Sequence, residues 1–96
     1  MNIDYNKIEE IYGIGCLMLI NKNREEIQKN INYLYKLGFE DIKDIFERKS
    51  YIFIKDNEEF KENINNLIKR IGMEYVEIIE NDLSLLEELE WLKYMI

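Results

Sequence analysis

Ser50-Tyr51-Ile52-Phe53-Ile54 is the stretch on which the fold turns. Taken alone, its aromatic and β-branched residues suit a strand, and so do those of Glu74-Tyr75-Val76-Glu77-Ile78-Ile79. Its counterpart 34 positions earlier, Leu17-Met18-Leu19-Ile20, is built of good helix formers. Copies of one unit share one structure, so the choice depends on whether these segments are copies.

The rest of the chain says that they are. Ile8-Glu9-Glu10-Ile11-Tyr12 returns as Ile42-Lys43-Asp44-Ile45-Phe46 at the same spacing, and a partial third copy stands at Tyr75-Val76-Glu77-Ile78-Ile79. Between these lies a second repeated element. Glu25-Glu26-Ile27 returns as Glu58-Glu59-Phe60, Asn30-Ile31-Asn32 as Asn63-Ile64-Asn65, and Leu34 and Lys36 as Leu67 and Lys69. Gly38 and Gly72 close the two copies. Residues 1–96 therefore read as one domain with units at about 4–38 and 39–72 and a partial unit at 73–96.

The second element is helical by its spacing. Ile27, Ile31 and Leu34 fall at i, i+4 and i+7, as do Phe60, Ile64 and Leu67, which makes one apolar stripe per helix. Asn23 stands three residues before Glu26 and Asp56 three before Glu59, the pattern of a capping box with an Asx cap. Gly38 and Gly72 suit a left-handed C-terminal residue. Ser84-Leu85-Leu86-Glu87 is a capping-box signal for a last helix, with Leu85, Leu89, Leu92 and Ile96 along one face. Ile8, Ile11 and Tyr12 also have helical spacing, as do Ile42, Ile45 and Phe46. The favoured reading is an all-α, short helical-repeat array of about two and a half units with a period near 34. The alternative makes strands of 50–54 and 74–79, giving an α+β ferredoxin-like duplicated βαβ plus a C-terminal helix.

Asn30-Ile31-Asn32-Tyr33-Leu34-Tyr35-Lys36-Leu37-Gly38-Phe39, followed by Asp41-Ile42-Lys43-Asp44-Ile45-Phe46, resembles a repeat of the mitochondrial transcription termination factor family. Asn63 to Gly72, followed by Val76 to Ile79, is similar. The resemblance covers most of the chain and rests on leucine, glycine and isoleucine spacings. It implies short helical units stacked into a curved array that acts on nucleic acid. Where the family carries proline before the final apolar pair of a unit, this chain has Cys16, Ser50 and Leu83. Its net charge is also opposite in sign to the family's basic surface.

Composition excludes several chemistries. With no histidine, there is no His-based triad and no His metal ligand. One cysteine cannot form an internal disulfide or a Cys-rich zinc site. Cys16 lies inside an apolar run without a nearby base, so it reads as a small core residue, not a nucleophile. Gly13-Ile14-Gly15 lacks the third glycine of a dinucleotide fingerprint, and there is no P-loop. The longest apolar run, Ile14 to Ile20, is far short of the roughly 20 residues of a membrane helix. Acids at Asp4, Glu9 and Glu10 oppose a signal peptide. The expectation is a non-enzymatic, cytoplasmic protein with no cofactor and no metal.

Charge supplies the one functional pointer. The chain carries 20 acids against 13 lysines and arginines, a net −7. Seven of the acids, Glu74, Glu77, Glu80, Asp82, Glu87, Glu88 and Glu90, lie between Ile71 and Leu92, where there is no basic residue. The remaining thirteen acids balance the thirteen bases, so the whole excess comes from this segment. Two uses are open: a solvated surface or a docking face that steers a basic partner. A calcium loop would need alternating acids around a turn glycine, which are absent. Trp91, beside Tyr94 and Met95, is a candidate interface anchor.

These features point to an acidic module that binds a basic protein surface, such as that of a nucleic-acid-binding protein. In size and charge it is similar to phage anti-CRISPR and anti-restriction inhibitors, an analogy only. Following the family resemblance instead, Lys22, Arg24, Lys29 and Lys36 would serve a nucleic-acid-associated module. Under the strand reading the chain would be a ferredoxin-like regulatory or ligand-binding domain.

Overall fold

Ser50 settles the strand question locally. Its hydroxyl donates to the Phe46 carbonyl at 2.6 Å, and the Ile52 amide donates to the Lys49 carbonyl at 3.2 Å. The second is a backbone turn bond at the start of a single helical turn over Ser50–Phe53, and the first ties that turn back to the helix before it. The computed structural model describes residues 2–91, with the side chains of Glu90 and Trp91 outside the description. Its helices are α1 (Tyr5–Tyr12), α2 (Ile14–Lys22), α3 (Arg24–Leu37), α4 (Ile42–Arg48), α5 (Ser50–Phe53), α6 (Asn57–Ile71), α7 (Tyr75–Asn81) and α8 (Glu87–Trp91), with a 3₁₀ turn at Leu83–Leu86 before α8. The described residues contain no strand, so the ferredoxin-like alternative is overturned along with the domain it implied. The fold is all-α.

The β-like composition of 50–54 reports burial. Ile52, Phe53 and Ile54 are consecutive and all buried, because α5 is packed against α3, α4 and α8. A strand with this composition would need a paired edge to satisfy its backbone. One helical turn satisfies part of that backbone itself. The Phe53 ring meets Phe46 and Phe60 with centroids 5.2 and 5.4 Å apart, tying α4 and α6 of the middle unit together through α5.

A short helix, a second short helix and a long helix follow one another twice, and α7, the 3₁₀ turn and α8 begin a third round. Ile27, Ile31 and Leu34 of α3 and Phe60, Ile64 and Leu67 of α6 are buried, and the two helices pack on each other. Each such side chain contributes roughly 1.5–3 kcal/mol on leaving water. Cys16 is likewise fully buried. Gly38 ends α3 in the left-handed conformation at φ 100°, ψ 8°. Its amide bonds the Tyr35 carbonyl and that of Phe39 bonds Leu34, the paired bonds of a Schellman cap. Gly72 also has positive φ, at 103°, but its ψ of −161° makes it an extended corner, not a left-handed cap.

The expected capping boxes do not form, and in the first of them both residues, Asn23 and Glu26, serve other helices. Asn23 turns its side-chain amide back to the Leu19 carbonyl at 2.7 Å and so closes α2. Asp56 makes no capping bond to α6. Glu26 instead reaches across the unit boundary and accepts the Asn57 amide, the first of α6, at 2.7 Å. Asn30, fully buried, donates to the carbonyls of Phe53 and Lys55 and accepts from the Asn57 side chain at 2.9 Å. At the C-terminal end the cap is Asp82, which accepts from Ser84, so Ser84 is not the cap and the segment starts as a 3₁₀ turn. Leu89 is buried and Leu85 half-buried, while Leu92 and Ile96 lie outside the described residues.

Candidate functional site

The sequence of α7 decides which way its acids face. Ile79 is fully buried. The Tyr75 ring packs near Phe39 with centroids 6.0 Å apart, and its hydroxyl donates to the Leu37 carbonyl at 3.0 Å. With those positions held inward, Glu74 and Glu77, three residues apart, are both exposed on one side of the helix. Gly72 turns the chain sharply just before, which leaves Met73 98% exposed at the rim.

Opposite α7 stands the connection between α3 and α4. The two enclose a groove of about 590 Å³ lined by Gly38, Glu40, Asp41, Met73, Glu74, Val76, Glu77, Glu80 and Asn81. Among the described residues five carboxyl groups line it and no lysine or arginine does. Glu80 is committed to the fold, because its Oε2 accepts the amides of Glu40 and Asp41 at 2.9 and 2.7 Å and holds the start of α4. The other four carboxylates make no ion pair among the described residues. Packed together without cations, they create a local negative field at the groove mouth.

The remaining acids of the segment are placed differently. Glu87 meets the Lys49 ammonium at 2.9 Å, and Glu88 meets the Arg70 guanidinium at 2.6 Å. The Arg70 hydrogen bond holds the Glu88 carboxyl below its ordinary range, and Glu88 in turn raises Arg70. Asp82 is used as a cap. The side chains of Glu90 and Trp91, the expected acidic position and the expected anchor, lie outside the described residues. The continuous acidic segment thus divides into an uncompensated part on α7 and a paired part on α8. Glu40 and Asp41, which also line the groove, stand far from the segment in sequence and only the fold brings them in.

The four basic candidates do not form one cluster. Lys29 and Lys36 of α3 line a groove of about 260 Å³ with Lys61 and Asn57 of α6, together with Asn32 and Tyr33. The Lys61 ammonium lies 5.7 Å from the Tyr33 ring centroid, and Lys29 pairs with Glu26 at 3.3 Å. Lys22 is on α2, and Arg24 borders a different cavity beside Tyr5 and Ile20. Among the described residues no group of three or more His, Cys, Asp or Glu is placed to hold a metal ion, and no helix is long and apolar enough to cross a membrane. No family model matches the chain, and no curated protein or solved structure matches it.

Proposed function

We propose that this chain is a non-enzymatic module that binds a basic segment of a partner protein in the groove between α7 and the α3–α4 connection. What supports the reading is the pairing pattern: Glu87 and Glu88 have cations within the fold, whereas Glu74, Glu77, Glu40 and Asp41 have none among the described residues. Exposed carboxylates in like-charged groups repel one another, and a lysine or arginine from outside relieves that repulsion. Met73 at the rim offers an adaptable apolar contact beside the charge. A nucleic-acid-binding protein would present such a basic segment, and an inhibitor of the kind described above would use this groove to occupy it.

Calorimetric titration with an oligolysine peptide tests the reading. Glu74→Gln with Glu77→Gln should weaken binding roughly tenfold, the sum of two surface pairs near 0.7 kcal/mol each. Glu87→Gln with Glu88→Gln removes equal charge and should leave binding nearly intact. Equal losses from the two pairs would reduce the effect to bulk charge.

A second reading rests on the α3–α6 groove, where Lys29, Lys36 and Lys61 line the same groove as Tyr33 and Lys61 lies over its ring. Lysines flanking an aromatic face suit single-stranded nucleic acid, in line with the family resemblance. Anisotropy with a fluorescent single-stranded oligonucleotide, compared with Lys36→Ala and Lys61→Ala, separates it from the first.

A further inference from the structure

Helix α2 is apolar on every side, yet its outer face is open. Cys16 and Ile20 point into the core, while Ile14 is 67% and Met18 65% exposed, with Leu19 also exposed. At 100° per residue, Ile14, Met18 and Lys22 run along one line of the helix, with Gly15 and Leu19 beside it. Ile11 at the end of α1 extends the patch, at 50% exposure. The positions matching Met18 and Leu19 in the middle unit are Ile52 and Phe53, both fully buried, and α3 lies against the helix that carries them. Among the described residues no helix plays that part for α2. Gly15 has no heavy atom within 4 Å of where a Cβ would stand, so another helix can approach closely there.

We propose that this face of α2 pairs with the same face of a second copy, the two helices antiparallel about a two-fold axis. Charge selects that occupant and that arrangement. Lys22 ends α2 and carries no ion pair among the described residues, and neither do Glu9 and Glu10 of α1, just ahead of the start of α2. An antiparallel pair sets each Lys22 toward the Glu9 and Glu10 of the other copy, twice by symmetry. Residues 4–38 hold five acids and five bases, so this end is neutral, whereas the excess of −7 lies between Ile71 and Leu92. Two copies meeting at α2 keep their acidic ends apart. A head-to-tail contact would instead direct the acidic end of one copy at its neighbour and would not close. The arrangement leaves both acidic grooves free, so it stands or falls separately from the function proposed above.

Sedimentation equilibrium on the full chain tests this pairing. The wild type should dimerise in roughly the micromolar range, since a patch of this size is below that of tight interfaces. Met18→Glu should weaken the dimer at least tenfold with an unchanged circular dichroism spectrum, because Met18 is outside the core. Lys22→Glu should weaken it too, and adding Glu9→Lys and Glu10→Lys should restore it. Glu74→Gln with Glu77→Gln should leave it as strong as in the wild type. A chain that stays monomeric to about 1 mM, or a dimer indifferent to Met18→Glu, overturns the proposal. So does a monomer that uses Met18 to capture an unrelated amphipathic helix.

Discussion

Glu80 does for α4 what Glu47 does for α1. The two occupy the same place in successive units, 33 residues apart. Each accepts backbone amides at the start of the first helix of the unit before it. Glu47 Oε2 takes the Asp4 amide at 2.8 Å, and Glu80 Oε2 takes those of Glu40 and Asp41. Asp4 in turn accepts the Lys7 amide, so α1 has the two halves of a capping box with its glutamate supplied by another unit. Carboxylates suit this position because helix N-termini carry partial positive charge.

Acid sensitivity follows from Glu47. Burial pushes its carboxyl upward, but the Lys43 hydrogen bond, the Asp4 amide and the charges of Lys43 and Lys7 outweigh burial and leave it below its ordinary 4.5. A lowered native value means stability that is present above pH 4.5 and is lost as the pH falls through the native value. Glu47→Gln should cost about 1–3 kcal/mol at neutral pH. It should also flatten the decline of stability below that point, as read by urea titration from pH 7 to pH 3. A decline unchanged by the substitution would place the sensitive group elsewhere.

Asn30 is the strongest candidate for a joint between units one and two. Asn30→Ala leaves the Phe53 and Lys55 carbonyls and the Asn57 side chain without their partner in a buried place. The expected loss is about 1–3 kcal/mol for each group left unsatisfied. Asn63, its counterpart in α6, is half-buried and makes no side-chain hydrogen bond among the described residues. Asn63→Ala should therefore change thermal stability far less than Asn30→Ala, and similar losses would refute the joint.

Ile31→Ala and Ile64→Ala each open a cavity in the stripe that α3 and α6 share. Each should cost about 2–5 kcal/mol by denaturant unfolding. A loss below 1 kcal/mol would mean that these helices are not packed as described.

What was legible in the sequence was what depends on period. The stripes of α3 and α6 and the left-handed Gly38 follow from residues a few positions apart. The joints were not legible, since Glu26 and Glu80 meet amides 31 and 39 or 40 positions away. A glutamate three residues after an Asx gives the same local pattern whether it caps its own helix or a neighbour's. Residues 50–54 left the strand alternative open for another reason, because apolar β-branched composition records burial on several sides as readily as a strand. The acidic segment was visible as a count. Its division came from Lys49 and Arg70, far from Glu87 and Glu88 in the chain, and the groove needed Glu40 and Asp41 from another unit.

The oligolysine experiment has a salt counterpart. If the α7 groove steers its ligand, association should slow as ionic strength rises from about 0.05 to 0.5 M, where the Debye length falls from near 14 to near 4 Å. The slope should be shallower for Glu74→Gln with Glu77→Gln, measured by stopped-flow fluorescence. Equal slopes for variant and wild type would remove those two residues from the encounter.

Residue 13, where Glu47 and Glu80 have their counterpart, is glycine. The latch therefore points one way, from each unit back to the one before, and residues 39–72 carry both a latch and the amides that receive one. Inserted again between Gly72 and Met73, that segment would bring its own fastenings with it. The acidic groove would move away from α2 by one fixed step, so the middle unit acts as a spacer and the number of such units sets a ruler between the two surfaces.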